Sequence, residues 1–290
     1  MSWPLGYVAA DVGGRAPEVL AAELAAIGYE AVDWTMEQYD PLDEAPAHLV
    51  RLVGVAADNG LAVPQLMVHQ DYVVTAPAQW EARVRRSERA IEAAAEAGVP
   101  TVGLVTGPNR WVAGWQRVGT NLSARAAWDL VLRALERVLE RAQASGVRAA
   151  LEPCWGTLAW NAAATDRLLG RLGSDSLSLN LDPSHFVMSG DDPAALARRW
   201  GPRIAHVHLK DAFGLRGVEG EDFCFLLPGE GRTDWPAFLG ALEAIGYSGA
   251  TSVEFESFRL RDQVLGGDVE AGARLAHEFV RGLLRARIAG

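Results

Sequence analysis

Four residues that can bind a metal ion recur where short apolar runs end in the second half of the chain. They are Glu152, Asp182, His208 and Glu254. Three carboxylates and one imidazole favour Mn²⁺, Mg²⁺ or Co²⁺ over a thiolate-type zinc site, although Zn²⁺ also accepts these ligands. The residues therefore predict one bound divalent metal ion.

Further polar residues accompany this set. His185 follows Asp182 after a proline and a serine, and we interpret it as a substrate contact, with metal ligation as the alternative. His69 ends an earlier apolar run and fits a substrate contact or a structural hydrogen bond equally well. Glu256 lies two residues beyond Glu254 and could reach the substrate or only solvent.

Lys210 is the only lysine of the chain, because the other 26 of the 27 Lys and Arg residues are arginines. A composition so biased toward arginine would replace any lysine whose role a planar guanidinium could fill. Lys210 lies two positions beyond His208, so both side chains point to the same face of a strand. We expect Lys210 to hold a substrate oxygen or to stabilise negative charge. Its alternative role is an ion pair with Asp211 or another carboxylate, and the deeper His206 is typical of a hydrogen-bonded core histidine.

Helical patterns that end at glycine and lead into short apolar runs repeat along the chain, as at Gly28, Gly98 and Gly146. Glycine supplies the left-handed residue that ends a helix, and the apolar run is typical of a buried strand. The eight predicted strands lie near Leu5–Ala10, Ala31–Thr35, Ala62–Val68, Thr101–Val105, Arg148–Glu152, Ser176–Asp182, Ile204–Lys210 and Ala250–Glu256, and a last helix covers Val269–Ile288.

This alternation predicts an α/β protein that forms a single (β/α)8 TIM barrel over residues 1–290. A doubly wound open sheet is the competing fold, but no glycine-rich loop with GxGxxG spacing follows the first strand. The carboxyl ends of barrel strands face the active-site mouth. The metal site is therefore expected at the ends of strands five to eight.

The composition restricts the partners. A net charge of −10 argues against nucleic acid, whose phosphates attract basic surfaces. The sequence contains no apolar run of about 18 residues that could span a membrane, and the first residues lack a secretory pattern. Cys154 and Cys224 form no CxxC pair and suit a reducing compartment. These features predict a cytoplasmic enzyme, with a homo-oligomer compatible with the sequence.

Four segments carry these residues in characteristic local contexts: Leu-Glu152-Pro, Leu-Asp182-Pro-Ser-His185, His206-Val-His208-Leu-Lys-Asp211 and Ser-Val-Glu254-Phe-Glu256. In combination they resemble the xylose isomerase-like TIM-barrel superfamily, and within it the sugar phosphate isomerase/epimerase group. The resemblance implies a divalent metal held by the four predicted ligands. It also implies a carbohydrate-like substrate, a ketose, aldose, keto-inositol or related polyol, that exchanges protons with Glu152 and Glu254.

Two branches of that superfamily differ from this chain. Ketose 3-epimerases usually carry a further acidic residue a few positions after the fifth-strand glutamate, where this chain reads Pro153-Cys-Trp-Gly-Thr-Leu158. Type-four AP endonucleases use a three-metal, histidine-rich site and a basic surface. Six histidines and a net charge of −10 do not provide that combination.

The predicted loops are rich in tryptophan, with Trp111, Trp115, Trp155 and Trp160 after the fourth and fifth strands. Flat indole faces could stack on a sugar ring, and Trp155 is the preferred contact; ordinary packing is the alternative. The long loop 212–233 could cover the pocket as a lid or pack against a neighbouring subunit. Three loop arginines, Arg15, Arg110 and Arg216, could add anion contacts.

Residues and resemblance together predict a divalent-metal-dependent isomerase or epimerase of a sugar, keto-sugar or polyol. The metal would polarise the carbonyl, and Glu152 or Glu254 would remove a proton from the neighbouring carbon in an enediolate-type transfer. Loss of a β-substituent instead gives the alternative function, a lyase or dehydratase acting on a keto-inositol or 3-keto-glycoside. A barrel that binds a sugar without catalysis is the third possibility.

Overall fold

The strands and helices alternate along the chain in a computed structural model that describes residues 3–288. In chain order the strands are β1 (Leu5–Val8), β2 (Ala31–Thr35), β3 (Gln65–Met67), β4 (Thr101–Leu104), β5 (Arg148–Leu151), β6 (Leu177–Leu181), β7 (Ile204–Leu209), β8 (Asp211–Gly214), β9 (Phe223–Leu226) and β10 (Thr251–Val253). β1 to β7 and β10 form a closed parallel barrel, in which β10 pairs with β7 and β1. The predicted α/β fold class and (β/α)8 barrel are confirmed.

The helices surround this barrel. They are α1 (Pro17–Ile27), α2 (Pro46–Asp58), α3 (Pro77–Ala97), α4 (Ala124–Ser145), α5 (Ala162–Leu172), α6 (Pro183–Ser189), α7 (Pro193–Trp200), α8 (Trp235–Ala244) and α9 (Val269–Ile288). Proline begins several of them, where its missing N–H costs no hydrogen bond, and Gly28, Gly98 and Gly146 end three in the left-handed conformation. None of the helices in the described range has the length and apolar character that crossing a membrane requires.

The barrel strands bury apolar residues on one face and polar residues on the other. Val32, Trp34, Val207 and Leu209 belong to the hydrophobic core that the helices cover. The alternate positions carry residues such as Asp33, Gln65, His206 and His208, which contact one another across the barrel. Because successive side chains alternate between faces, the apolar layer directs the polar residues into the barrel interior.

Most barrel strands end one or two residues before their predicted ends, β1 at Val8 for example, and the bounds differ most at β3 and β10. β3 begins at Gln65, and Ala62 forms only an isolated bridge with Ala31. β10 ends at Val253, so Glu254 and Glu256 follow the strand. The last helix has the predicted bounds, whereas residues 1, 2, 289 and 290 of the predicted domain lie outside the described residues.

The long segment after β7 contains an antiparallel hairpin that the sequence did not predict. β8 pairs with β9, with Asp211 opposite Leu226 and Gly214 opposite Phe223. The buried carboxylate of Asp211 accepts hydrogen bonds from Thr233 Oγ1 and Trp235 Nε1, both at 2.8 Å, and from the Gly229 backbone N–H at 3.0 Å. Asp211 therefore connects the start of the hairpin to the residues that follow it and lead into α8.

Candidate active site

The predicted metal ligands meet at the carboxyl end of the barrel. Glu152 follows β5, Asp182 caps the N-terminus of α6 after β6, and Glu254 follows β10. His208 lies within β7. All four side chains are buried, because the strand ends converge beneath the segments that follow them.

His185 joins the three predicted carboxylate ligands. One ligand atom from each of Glu152, Asp182, His185 and Glu254 lies within 4.8 Å of all the others. His185 Nε2 lies 3.7 Å from both Glu152 Oε1 and Asp182 Oδ2. Proline at the start of α6 turns the chain so that Asp182 and His185, one helical turn apart, face the same centre.

His208 approaches the same carboxylates from the side of the barrel interior. Its Nδ1 donates to Glu152 Oε1 at 3.1 Å and lies 3.6 Å from Glu254 Oε2. As a candidate metal ligand, however, His208 groups with Asp33 and His206, which lie beneath it, and His185 takes its place beside the three carboxylates. The structure therefore places three imidazoles, those of His69, His185 and His208, beside the carboxylate cluster.

Lys210 lies within this cluster and is 1% exposed. Its Nζ donates to Glu254, to Glu256 Oε2 at 2.6 Å, and lies 3.2 Å from Asp182 Oδ2. The Phe225 ring of β9 covers it, with the ring centroid 4.4 Å from Nζ. The alternative ion pair with Asp211 does not form, since Asp211 anchors the hairpin.

The donor set fits a divalent cation. Three carboxylates, those of Asp182, Glu254 and Glu256, contact the Lys210 ammonium, and the buried Glu152 carboxylate lies beside those of Asp182 and Glu254. Asp182 Oδ2 is buried and takes part in no hydrogen bond with a described residue, and His185 Nε2, which faces the cluster, lies 3.7 Å from it. Buried charges require compensation, so a divalent ion would balance the excess negative charge and use these two atoms.

The carboxylates differ in proton affinity. Burial raises the pKa of Glu152, but the His208 charge and hydrogen bonds from His208 and His69 together hold it well below its usual range. Burial also opposes ionisation of Glu254, yet the Lys210 charge lowers its pKa to about 2. Burial raises the pKa of Glu256 to about 7 despite the nearby Lys210. Two ionised carboxylates thus lie beside one that retains a proton near neutral pH.

A polar layer beneath the site fixes His208. The His206 ring donates through Nε2 to Asp33 Oδ2 at 2.7 Å, which agrees with the prediction of a hydrogen-bonded core histidine. Asp33 Oδ2 also lies 3.7 Å from His208 Nε2, and the side-chain nitrogens of Gln65 and Asn180 lie 3.3 and 3.1 Å from that atom. Sequence reasoning missed Asp33; its only signal is an aspartate inside the apolar run of β2.

A pocket of about 810 Å³ opens above the cluster. Its described lining includes every residue predicted to contact substrate: His69, Trp155, His185, Lys210 and Glu256. Sequence reasoning did not single out Arg83, Arg86 and Asn109, which also line it and lie on α3 or after β4. Trp111 lines this pocket, whereas Trp115 and Trp160 line a different cavity. Arg15 pairs with Glu23 at 3.0 Å.

The barrel, the carboxylate cluster and the pocket agree with a family-level match. A family model described as a xylose isomerase-like TIM barrel matches residues 21–283. This chain belongs to the xylose isomerase-like TIM-barrel family. The family assignment confirms the resemblance found in the sequence, and the chain is similar to enzymes of this family.

Three similar proteins illustrate the range of the family. An inosose dehydratase of Lacticaseibacillus casei is 31% identical over 140 aligned residues, which cover 44% of this chain and 47% of that protein. A 3-dehydroshikimate dehydratase of Pseudomonas aeruginosa is 27% identical over 249 residues, covering 84% of this chain and 36% of that protein. The chain thus spans about half or less of the length of these curated relatives. The solved structure of an IolI protein with a zinc atom has a TM-score of 0.74 and 20% identity, covering 98% of this chain and 99% of that one.

Proposed function

We propose that this protein is a divalent-metal-dependent dehydratase that acts on a cyclic keto-polyol. The reaction removes a proton from the carbon beside the carbonyl and expels the β-hydroxyl as water. The observation that carries the proposal is the convergence of Glu152, Glu254, Glu256 and Lys210 at the floor of one pocket. The names of the inosose and 3-dehydroshikimate dehydratases support elimination over isomerisation, and so favour the alternative function inferred from the sequence.

The pocket suits a small hydroxylated ring. A volume of about 810 Å³ lies within the range of small-molecule sites. Trp155 and Phe225 offer flat apolar surfaces on one part of the wall, and His69 and Asn109 offer hydrogen-bonding groups on another. This combination is typical of sugar and polyol recognition, because a ring presents both C–H faces and hydroxyl edges.

The ion would be held by Glu152, Asp182 and Glu254 together with His208, as the resemblance implies, or with His185. When bound, it would polarise the substrate carbonyl and so acidify the neighbouring C–H bond. The zinc atom in the IolI structure, which shares the barrel fold, supports a bound metal ion. The close grouping of the potential ligand atoms of Glu152, Asp182, His185 and Glu254 in this chain also supports a bound metal ion.

The proton acceptor is one of the two carboxylates that remain ionised, Glu152 or Glu254. His208 and His69 orient Glu152, with His69 Nε2 3.2 Å from Glu152 Oε2. Lys210 orients Glu254 and provides a fixed positive charge for the oxygen on which negative charge develops. Phe225 and the surrounding wall exclude water from Lys210, which strengthens that interaction.

Glu256 supplies the proton that the departing hydroxyl takes. It is the most exposed carboxylate of the cluster, with 30% of its side chain accessible, and it lines the pocket. As the C–H electron pair forms the new C=C bond, the C–O bond breaks and the hydroxyl leaves as water. Glu256 then recovers a proton from solvent, to which its exposed edge has access.

NMR in D₂O tests the proposal with a panel of keto-inositols, 3-keto-glycosides and ketoses. We expect an unsaturated ketone from at least one keto-inositol in the wild-type protein. Glu256→Gln should keep exchange of the C–H for deuterium but lose elimination by at least about 100-fold, since only the acid is removed. Glu140→Gln, an exposed change on α4, is the matched control and should not alter either rate. Deuterium uptake without elimination in the wild type would refute the dehydratase.

An isomerase or epimerase is the second candidate, favoured by one feature of the site. Glu152 and Glu254 follow different strands, β5 and β10, and their carboxylates lie 3.1 and 3.6 Å from His208 Nδ1. Such a pair suits removal of a proton on one side of a carbon and its return on the other. In the same experiment, deuterated isomer or epimer without loss of water supports this function.

A further inference from the structure

A second cavity, of about 390 Å³, lies beside the active-site pocket and shares no described lining residue with it. It is lined by the segments that follow β4, β5 and β8, by the first two turns of α5 and by Trp128 of α4. Arg110, Arg167 and Arg216 line it, and no Asp or Glu is among its described lining residues. In a chain with a net charge of −10, this is a local concentration of positive charge.

The three guanidinium groups have no acidic partner. Within residues 3–288, no carboxylate oxygen is recorded within 4.0 Å of Arg110, Arg167 or Arg216. Arg137 shows the contrast, since it binds Glu81 at 2.7 Å and Glu88 at 2.9 Å. Among the described residues, Arg216 donates one hydrogen bond, from Nε to the Trp155 backbone oxygen at 2.7 Å. Its two terminal amino groups are therefore available to a ligand.

Indole rings hold two of these arginines in place without neutralising them. The guanidinium carbon of Arg110 lies 5.1 Å from the Trp115 ring centroid, and that of Arg216 lies 4.2 Å from the Trp160 ring centroid. Stacking of this kind fixes the planar fork and preserves its charge. Burial and the neighbouring Arg110 charge lower the pKa of Arg216 to about 10, so it remains protonated at neutral pH beside a like charge.

The first turn of α5 completes one side of the cavity. Asn161 caps this 11-residue helix, and Ala163 and Ala164 belong to the cavity wall. Two N–H groups of this turn already have partners: that of Ala162 donates to Asp191 Oδ2 at 3.0 Å and that of Ala164 to Asn161 Oδ1 at 2.9 Å. The three arginines therefore supply the positive charge of the cavity.

We propose that this cavity is an anion site that binds the phosphoryl group of a small molecule. A phosphoryl group presents several negatively charged oxygens, which match forked guanidinium donors in bidentate geometry. The site is distinct from the metal cluster, yet the two adjoin: the Trp155 backbone receives the Arg216 hydrogen bond while its side chain lines the active-site pocket. Inorganic phosphate and a phosphomonoester share this chemistry.

Isothermal titration calorimetry tests the site on the purified metal-bound protein, with inorganic phosphate and glycerol 3-phosphate as probes. We expect saturable binding that weakens as salt rises. Arg110→Gln and Arg216→Gln should each weaken it about tenfold or more, because each removes a charge-assisted contact. Because Arg167 lies at an exposed position of the cavity wall, Arg167→Gln should leave the packing intact and also weaken phosphate binding. Arg125→Gln, at an exposed position of α4, should bind as the wild type does.

Two further arms identify the site and the source of the anion. Glu152→Gln should retain phosphate binding, whereas loss in this variant would assign the anion to the metal cluster and overturn the proposal. Absence of saturable binding, or unchanged affinity in both Arg110→Gln and Arg216→Gln, would also overturn it. Tighter binding of glycerol 3-phosphate than of inorganic phosphate indicates a phosphorylated metabolite, and the reverse order indicates free phosphate. No substrate turnover enters these measurements, so the result is independent of the proposed dehydratase function.

Discussion

Lys210 occupies the most restricted position in the molecule. Three carboxylates and the Phe225 ring surround its Nζ, and its side chain is almost fully buried. An ammonium is compact and can donate to several oxygens arranged around one point, whereas a guanidinium is longer, flat and forked. The shape of this enclosure explains why a chain with 27 basic residues keeps one lysine here.

Lys210→Arg should therefore reduce kcat by about 100-fold while the bound metal remains, because the charge persists but its position shifts. Steady-state kinetics and metal analysis of the same preparation measure both quantities. Arg125→Lys, the reverse exchange at an exposed position, is the control and should change neither. Wild-type turnover in Lys210→Arg would show that any buried cation suffices at this position.

Asp33 acts through the histidines above it. Asp33→Asn leaves the buried His206 Nε2 without its carboxylate partner and removes the negative charge near His208. We expect a loss of about 1–3 kcal/mol in the free energy of unfolding and a 10- to 100-fold weaker metal affinity. Urea denaturation and metal titration measure the two effects. A stability loss with unchanged metal affinity would restrict Asp33 to a structural role.

The sequence revealed the polar residues at the strand ends but not the layer beneath them. Glu152, Lys210 and Glu256 were recognisable because each lies where an apolar run stops. Asp33 and Gln65 are single polar residues within or before apolar runs, and their partners come from strands on other sides of the barrel. Such contacts arise only when the sheet closes, so local sequence patterns do not disclose them.

At the scale of elements, Asp211 connects the β8–β9 hairpin to the start of α8. Its carboxylate accepts from Thr233 Oγ1, Trp235 Nε1 and backbone N–H groups in a buried setting. Phe225 of the same hairpin covers Lys210 and lines the pocket. The anchoring of the hairpin and the enclosure of the active site are thus linked through one short element.

Asp211→Asn should destabilise the fold by about 2–4 kcal/mol, because an amide cannot accept all of these hydrogen bonds and brings donors of its own. We also expect a higher KM, since the hairpin would enclose the pocket less firmly. Thermal unfolding, kinetics and limited proteolysis within residues 215–222 provide the measurements. Asp222→Asn, a polar change in the connection between β8 and β9, serves as the comparison. Equal protease resistance in Asp211→Asn and wild type would contradict the anchoring role.

The barrel elements could be predicted from sequence better than the hairpin could. Gly28, Gly98 and Gly146 end helices through their own left-handed backbone conformation. The local sequence around each glycine is therefore enough to predict the end of the helix. The hairpin depends on Asp211 contacting residues more than 20 positions away. Its two short strands show no clear alternation of apolar and polar residues, so the local sequence pattern predicts a long loop instead.

At the scale of the whole molecule, the barrel encloses charge where many barrels enclose apolar side chains. The apolar face of the strands packs against the helices, and the interior carries Asp33, His206 and His208 below the carboxylate cluster. Burying these groups costs free energy unless their charges are balanced. The surrounding hydrophobic core must therefore offset the free-energy cost of burying these groups, and a bound cation would reduce that cost.

This balance predicts that metal binding stabilises the whole protein. A ligand that binds only the folded state at 100 times its Kd adds about 2.7 kcal/mol to the free energy of unfolding. Differential scanning calorimetry should thus show a lower Tm after EDTA treatment, and recovery with Mn²⁺, Mg²⁺, Co²⁺ or Zn²⁺ ranks the ions. Glu152→Gln should lose most of this metal-dependent shift, whereas Glu140→Gln should keep it. An identical Tm with and without every ion would contradict the predicted metal site. It would mean that Lys210 and the histidines alone balance the negative charge of the carboxylates.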